Sequence, residues 1–277
     1  LLLVPSGMEA CIEPDAWQER ESLLQIHFAE DEPGCPYTAG VSMRNSKSLL
    51  RFRFLRQEEE REGGRTTVRT YFLGSDDVSA VHTLVHHGNR SLRSSLTIDN
   101  NGESTPVLQM AASFSLSGLT PFESGEAPGS LVIHRLRSYW SAEGRHDRHV
   151  AEDLQLDPSW SRWAPKSERF GQVGTLPVRR FFPFVAAEDT RRGVLWAAQL
   201  AWCASWQMEA YRRKDGLSLS GGLADHEFGH WEKEIRPGTS FSTPEAILTV
   251  CRGDLDDGCD RLLDEHRRVL SGLPESE

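Results

Sequence analysis

Short runs of branched and aromatic residues, spread along almost the whole chain, constrain the fold more than any other feature of this sequence. In one of them Leu50, Phe52 and Phe54 alternate with Arg51 and Arg53. This alternation has the period of a β-strand with one buried face. The runs predict strands in 22–28, 49–56, 66–73, 78–86, 91–99, 105–113, 131–140, 181–187, 194–201, 206–212, 217–220 and 246–251.

Turn-forming residues separate several of these runs. Asn100-Asn101-Gly102 lies between two alternating runs, and Asn-Gly is a strong hairpin signal because both residues tolerate positive φ. The charged segment 57–64 ends in Gly-Gly and predicts a solvated hairpin loop.

One helix is predicted, at the carboxyl end of the chain. Asp254 can cap it, and the apolar positions from Leu255 to Leu270 follow helical spacing. A segment with Gly272 and Pro274 stops it. The sequence therefore predicts an all-β protein, a large antiparallel sandwich over 1–252 with a C-terminal helix in 253–277.

Composition and charge argue against several classes of function. The chain has 277 residues with a net charge of −10, whereas phosphate recognition needs a basic field, so we expect no nucleic-acid partner. The most apolar stretch, 194–204, is about half the roughly 20 residues of a membrane-spanning helix, so we expect it to be buried and the protein to have no membrane partner. Five cysteines without a CxxC motif favour a reducing compartment, and we expect a cytoplasmic protein. Leu1 in place of a methionine, with a polar end, suggests a piece of a longer protein.

A His-Glu-x-x-His motif is formed by His226, Glu227 and His230. In zinc peptidases this motif lies on a helix, which brings both histidines to one face. Here Gly229 lies inside the motif and Gly-Gly precedes it, so we expect a loop or a strand and no metal site. A zinc metallopeptidase remains a third alternative.

The tryptophans are concentrated in one part of the chain, since seven of the eight lie within 139–231. Trp196 and Trp202 belong to the apolar stretch and are predicted to lie in the core. Trp140 and Trp163 have polar and basic neighbours, which is typical of loops that line a ligand surface. A stand-alone sugar-binding sandwich is therefore one interpretation.

Several carboxylates in the same part of the chain are candidates for acid–base chemistry. A glycosidase needs two of them about 5 to 10 Å apart across a sugar ring. Nothing in the spacing pairs any two, so we expect all of them to be surface groups: Glu143, Asp147, Glu168, Glu188, Glu209 and Asp225.

Several motifs together resemble the N-terminal domain of bacterial α-galactosidases of the glycoside hydrolase 36 type. The most specific is 237–246, which resembles the Pro-Gly-Glu-x-Phe-x-Thr-Pro-Glu stretch that leads into the catalytic barrel of that family. Weaker matches lie in 92–102, 111–116, 134–143 and 182–184. The resemblance covers the chain from about residue 50 to its end.

This resemblance implies a β-supersandwich of the galactose-mutarotase type, followed by a connector helix that leads to a (β/α)₈ barrel. In the family, two aspartates of that barrel hydrolyse terminal α-galactosides with retention. We therefore expect no catalytic residue, metal ligand or cofactor in this chain, and as partners a galactoside, the barrel of the same polypeptide and further copies in a homo-oligomer. Residues that could line the rim of the sugar cleft are Trp140, Trp163, Lys166, Arg179 and Arg180.

Overall fold

A computed structural model describes residues 1–14, 20–34, 42–123, 125, 127–158, 164–214 and 216–272. In chain order the strands are β1 (Ile26–Phe28), β2 (Arg53–Glu62), β3 (Arg65–Leu73), β4 (Val78–His86), β5 (Leu92–Asn100), β6 (Val107–Leu119), β7 (Leu131–Arg137), β8 (Arg145–Val150), β9 (Lys166–Gln172), β10 (Phe184–Asp189), β11 (Val194–Leu200), β12 (Trp206–Arg213), β13 (Gly216–Leu223), β14 (Lys233–Glu234), β15 (Thr239–Ser242) and β16 (Ala246–Arg252). Helix α1 (Leu255–Leu270) follows them, and short 3₁₀ turns occupy Glu9–Cys11, Lys47–Arg51 and Ala151–Leu154.

The described strands form two antiparallel sheets. The larger sheet has the order β2-β3-β4-β5-β16-β11-β10-β7-β8, and β15 extends it beside β5. The smaller sheet has the order β1-β6-β13-β12-β9, and β14 pairs with β6. This architecture confirms the predicted large antiparallel β fold with a C-terminal helix.

The main hydrophobic core lies between the two sheets. The larger sheet contributes Trp196 from β11 and Leu248 from β16, and the smaller sheet contributes Phe114, Trp206 and Met208. All five side chains are at most 1% exposed. Each strand that lines this core keeps its other face for different contacts, as period-2 alternation requires.

Helix α1 packs on the outer face of the larger sheet. Its start is fixed by a capping box, in which Asp254 accepts the backbone N–H of Asp257 and the carboxylate of Asp257 accepts that of Asp254. Leu262 packs into the apolar cluster on the sheet. Gly258 allows the close approach, because a Cβ there would lie 2.4 Å from Leu195. The predicted helix and its cap are confirmed.

The charged segment predicted as a hairpin loop is part of strand β2, so that prediction was wrong. Its residues pair with β3 as far as Glu62, and only Gly63-Gly64 forms the turn. The charges suit a strand at the edge of the sheet, where Glu60 pairs across the ladder with Arg69 at 2.8 Å. β2 carries no half-buried face either, since Phe54 is 63% exposed.

The Asn-Gly segment is not a hairpin turn. It connects β5 of the larger sheet to β6 of the smaller sheet, and these two strands do not pair. Asn100 holds the connection by donating its amide N–H to the carbonyl of Ile235 at 2.7 Å and by accepting the N–H of Gly102. Local turn chemistry predicted the change of direction but not that the next strand joins another sheet.

One tryptophan predicted in the core lies at the surface. Trp202 is 38% exposed and donates its indole N–H to the carbonyl of Ser205 at 3.2 Å. Strand β11 ends at Leu200, two residues before it, so Trp202 belongs to the following loop. Trp196, which lies within the strand, is fully buried as predicted.

Candidate functional site

The outer face of the smaller sheet is polar although it is buried. Ser115 on β6 lies opposite Ser220 on β13, which lies opposite Glu209 on β12, which in turn lies opposite Arg169 on β9. Directly opposed residues of an antiparallel sheet share one face, so these four side chains form a row across four strands. We call this surface, with Gln207 one row along, the polar face.

Alternation along each strand produces the polar face. On β6, Phe114 and Leu116 lie in the core, which turns Ser115 and Ser117 to the opposite side. Such a face normally contacts water, but Ser115 is only 1% exposed.

Side chains from the two segments before and after β1 cover part of the polar face. Arg44 donates from Nη1 to the Ser220 hydroxyl at 2.5 Å and forms an ion pair with Glu21. Asn45 donates to the other oxygen of Glu21 at 2.8 Å, and the backbone N–H of Glu21 donates to the Ser117 hydroxyl at 2.9 Å. Arg44 and Glu21 therefore form an ion pair, and each of them is also hydrogen-bonded to a serine of the sheet.

The predicted surface location of the carboxylates was wrong for three of the six. Glu209 and Asp225 are 1% exposed and Asp147 is 8% exposed. Glu209 accepts a hydrogen bond from the Ser167 hydroxyl at 2.6 Å. Arginine and hydroxyl partners provide the hydrogen bonds that water would otherwise donate to a carboxylate. Spacing along the chain does not reveal such partners.

The His-Glu-x-x-His motif lies in the loop after β13, as expected. Asp225 organises this loop by accepting the N–H of Phe228 at 2.7 Å and a hydrogen bond from Arg169 at 3.3 Å. Gly229 has φ +113° and His230 has φ +55°, which a helix does not allow. In the described parts of the chain, no three His, Cys, Asp or Glu side chains form a group suited to a metal ion.

Burial shifts the ionisation of two groups at the polar face. Burial raises the pKa of Asp225 to about 6, although Arg169 and the N–H of Phe228 act in the opposite direction. Burial also raises the pKa of Tyr211 to about 12, and the charge of Glu21 adds to this shift. Strongly perturbed groups that cluster on one surface are typical of functional sites.

Some polar atoms at this surface lack a hydrogen-bond partner among the described residues. They are the Ser115 hydroxyl, the Gln207 carbonyl oxygen and the Nε–H groups of Arg44 and Arg169. The candidate site therefore has unused hydrogen-bonding capacity that is not visible in the sequence. The sequence signal that could have found it is the recurrence of serine on the non-core positions of 113–117 and 218–220.

Three of the predicted rim residues lie on adjacent loops at one end of the sandwich. Trp140 is 94% exposed, and Arg179 and Arg180 are exposed. The carbonyl of Arg180 accepts the N–H of Ser138 at 2.9 Å, and its guanidinium lies 3.4 Å from the Tyr139 hydroxyl. This arrangement offers an aromatic and cationic surface to solvent.

The fourth predicted rim residue, Lys166, begins strand β9, whereas Arg179 and Arg180 lie in the loop between β9 and β10. Lys166 pairs with Asp157 at 3.1 Å. Trp163 lies outside the described residues.

An open apolar groove lies beside helix α1 on the outer face of the larger sheet. It has a volume of about 490 Å³, and Leu136, Phe182, Phe184 and Leu263 line it. His266 closes one side by a hydrogen bond to Gln199 at 2.9 Å. Exposed apolar grooves of this kind mark contact surfaces.

Known structures resemble this chain in fold. A GH36 α-galactosidase from Geobacillus stearothermophilus superposes with a TM-score of 0.63 at 11% identity, over 87% of this chain and 31% of its own. An α-galactosidase from Lactobacillus brevis gives 0.59 at 13% identity over 87% and 32%. The galactosidase domain of an α-galactosidase–sucrose kinase gives 0.60 at 15% identity over 89% and 33%.

The chain has the fold of part of a GH36 α-galactosidase. The expected resemblance is thereby confirmed at the level of fold. The chain spans about a third of the length of these enzymes. No family model and no curated protein matches the sequence. No helix in the described ranges is long and apolar enough to cross a membrane.

Proposed function

We propose that this chain is the non-catalytic N-terminal domain of an α-galactosidase-like glycoside hydrolase. A (β/α)₈ barrel that follows α1 would hydrolyse terminal α-galactosides with retention. The observation that carries the proposal is the fold match, which covers 87% of this chain but only 31% of the matched enzyme. In this role the sandwich packs against the barrel and supports oligomer contacts.

The structure of α1 is consistent with that role. The helix is held on the larger sheet by Leu262 and by Glu265, which accepts hydrogen bonds from Asn89, Arg93 and Arg268. A rigid helix beside an open apolar groove gives a following domain a defined position. The exposed side chains of Trp140, Arg179 and Arg180 would then lie free to reach a sugar at the rim of the barrel.

The test compares two proteins under the same conditions. This chain alone, up to high concentration, should show no turnover of p-nitrophenyl α-galactoside, whereas the longest reading frame that contains it should release nitrophenol. Measurable turnover by this chain alone would overturn the proposal.

A stand-alone carbohydrate-binding module is the second candidate, and the exposed Trp140 beside Tyr139 and Arg180 favours it. It predicts that calorimetry detects galactoside binding to this chain alone, and that Trp140→Ala abolishes the binding. Under the first proposal, the isolated chain gives no heat from this surface.

We also propose that the protein works in a reducing compartment. The four cysteines in the described residues, Cys11, Cys203, Cys251 and Cys259, are unpaired. Electrophoresis with and without reductant, on protein extracted with its thiols blocked, would reveal any native disulfide that contradicts this.

A further inference from the structure

The sandwich carries an apolar surface at the end where strands β7, β9 and β11 finish. The most apolar stretch of the sequence, 194–204, continues past the end of β11 at Leu200, and its residues Ala201, Trp202 and Cys203 are exposed. Single exposed apolar residues are ordinary, but a concentration of them marks a contact surface. Six of the twelve large apolar side chains that are exposed in the described parts of the chain lie in the loops at this end: Tyr139, Trp140, Val173, Leu176, Val178 and Trp202.

Hydrogen bonds join the loops that carry these side chains. The backbone N–H of Gly174, after β9, donates to the hydroxyl of Ser205, after β11, at 2.9 Å. The backbone N–H of Ser138, after β7, donates to the carbonyl of Arg180 at 2.9 Å. The three loops therefore hold one another in place at one end of the sandwich. We call their common surface the apolar end, formed by 138–144, 173–183 and 201–205.

Helix α1 runs towards the apolar end. Near its start, a Cβ at Gly258 would lie 2.4 Å from Leu195, and further along His266 forms a hydrogen bond to Gln199 at 2.9 Å. Because Leu195 and Gln199 follow in that order on β11, the helix runs in the same direction as this strand, towards the loop after it. Leu270 in the last turn is 61% exposed. A polypeptide that continues beyond α1 therefore leaves the sandwich beside the apolar end.

We infer that the apolar end is the docking surface of the domain that follows α1 in the same polypeptide, an inference that rests on the proposed function. A contact over Leu176, Val178 and Trp202 removes their apolar side chains from water, which favours association. The direction of α1 favours this occupant over a second copy, because a domain tethered beside the surface is present at a high effective concentration. Trp140, on the neighbouring loop, then lies beside the same domain.

Two native thiols provide the test, because Cys203 lies on the apolar end and Cys11 does not. Both are exposed. Cys11 belongs to a segment in which the N–H of Glu13 donates to the carbonyl of Pro121, beyond the end of β6 that pairs with the start of β13. Maleimide labelling, read by mass spectrometry of peptides, should find both thiols reactive in this chain alone. In the longest reading frame that contains it, Cys203 should react at least about tenfold more slowly while Cys11 keeps its rate, since a covered thiol reacts only when the contact opens.

A substitution on the apolar end separates docking from folding. Leu176 is 64% exposed, so Leu176→Lys should leave the urea stability of this chain alone nearly unchanged. In the longer protein the same substitution should restore the labelling of Cys203, because an unpaired charge in a covered contact is unfavourable. Leu55→Lys, at a position on β2 that is 50% exposed, is the matched control and should leave Cys203 protected.

Labelling of Cys203 at the same rate in the two proteins would overturn the inference. If the longer protein then hydrolyses p-nitrophenyl α-galactoside, the proposed function stands and only the docking surface is wrong. Protection of Cys203 in this chain alone that grows with protein concentration would show that a second copy covers the apolar end, which also overturns the inference. Protection of Cys203 in a longer protein without turnover would support the docking surface and refute the proposed function.

Discussion

Glu265 is expected to hold helix α1 on the sandwich, and Glu265→Gln removes its charge with little change of shape. Its side chain is 2% exposed. It accepts hydrogen bonds from Asn89 at 2.6 Å and from Arg93 at 2.5 Å, both on the side of the larger sheet, and from Arg268 one turn along. The substitution therefore breaks contacts between the helix and the sheet.

The size of the effect follows from the pKa of Glu265. Burial raises this pKa, but hydrogen bonds from Arg268, Arg93 and Asn89 outweigh burial and lower it from 4.5 to about 2. A difference of about 2.5 units corresponds to about 3 kcal/mol of folding free energy at pH 7. Because the folded pKa is the lower one, this stability is complete above about pH 4.5 and is lost as the pH falls towards 2. At pH 3 less than half of it remains.

Urea unfolding followed by tryptophan fluorescence measures this at pH 7 and at pH 3. Glu265→Gln should lower the free energy of unfolding by about 2 to 3 kcal/mol at pH 7, and the gap to the wild type should narrow at pH 3. Asp264→Asn, which breaks an exposed pair with Arg90, is the matched control and should have a much smaller effect. Equal stability of the two variants at pH 7, or a gap between Glu265→Gln and the wild type that is the same at both pH values, would refute this role of Glu265.

Three further predictions concern the sandwich and its helix. Arg135 is 5% exposed and forms ion pairs with Asp147 on β8 and with Glu168 on the other sheet. Arg135→Met should therefore lower the free energy of unfolding in urea by about 3 kcal/mol. Arg145→Met, at an exposed position, should leave this free energy nearly unchanged. Leu262→Ala should lower the free energy of unfolding by about 2 to 5 kcal/mol because Leu262 is 3% exposed, whereas Leu263→Ala, at 41% exposed, should lower it far less. Similar losses in the two variants would contradict the packing of α1. Burial lowers the pKa of His82 from 6.5 to about 3, so stability should be complete above pH 6.5 and decline as the pH falls below it. His82→Asn should make the decline less steep. If the pH dependence of stability is the same in the variant as in the wild type, this prediction is wrong.

Alternation and capping in the sequence predicted the fold class well, because both are local properties of the chain. Asp254 and the spacing after it located α1, and strand-like runs located most strands. The sequence did not reveal that 100–106 crosses between sheets or that β2 has no buried face, since both depend on which strands become neighbours in space. Trp202 was misplaced for the same reason, because β11 ends just before it.

The candidate site was less accessible from sequence. Glu209 and Asp225 were recognised as candidate carboxylates, but their side-chain partners Ser167 and Arg169 lie on β9, which is distant in the chain. Conspicuous residues such as Trp140 and Arg180 proved to be exposed loop side chains, whereas the polar face consists mainly of small, unremarkable residues such as Ser115 and Ser220. Only the cross-strand register brings them into one row.

The most direct test of the proposed non-catalytic role is the rate of p-nitrophenyl α-galactoside hydrolysis by this chain alone and by the longest reading frame that contains it. We expect no turnover by the chain alone and clear turnover by the longer protein. Turnover by the chain alone, or none by a longer protein that includes a barrel, would contradict it.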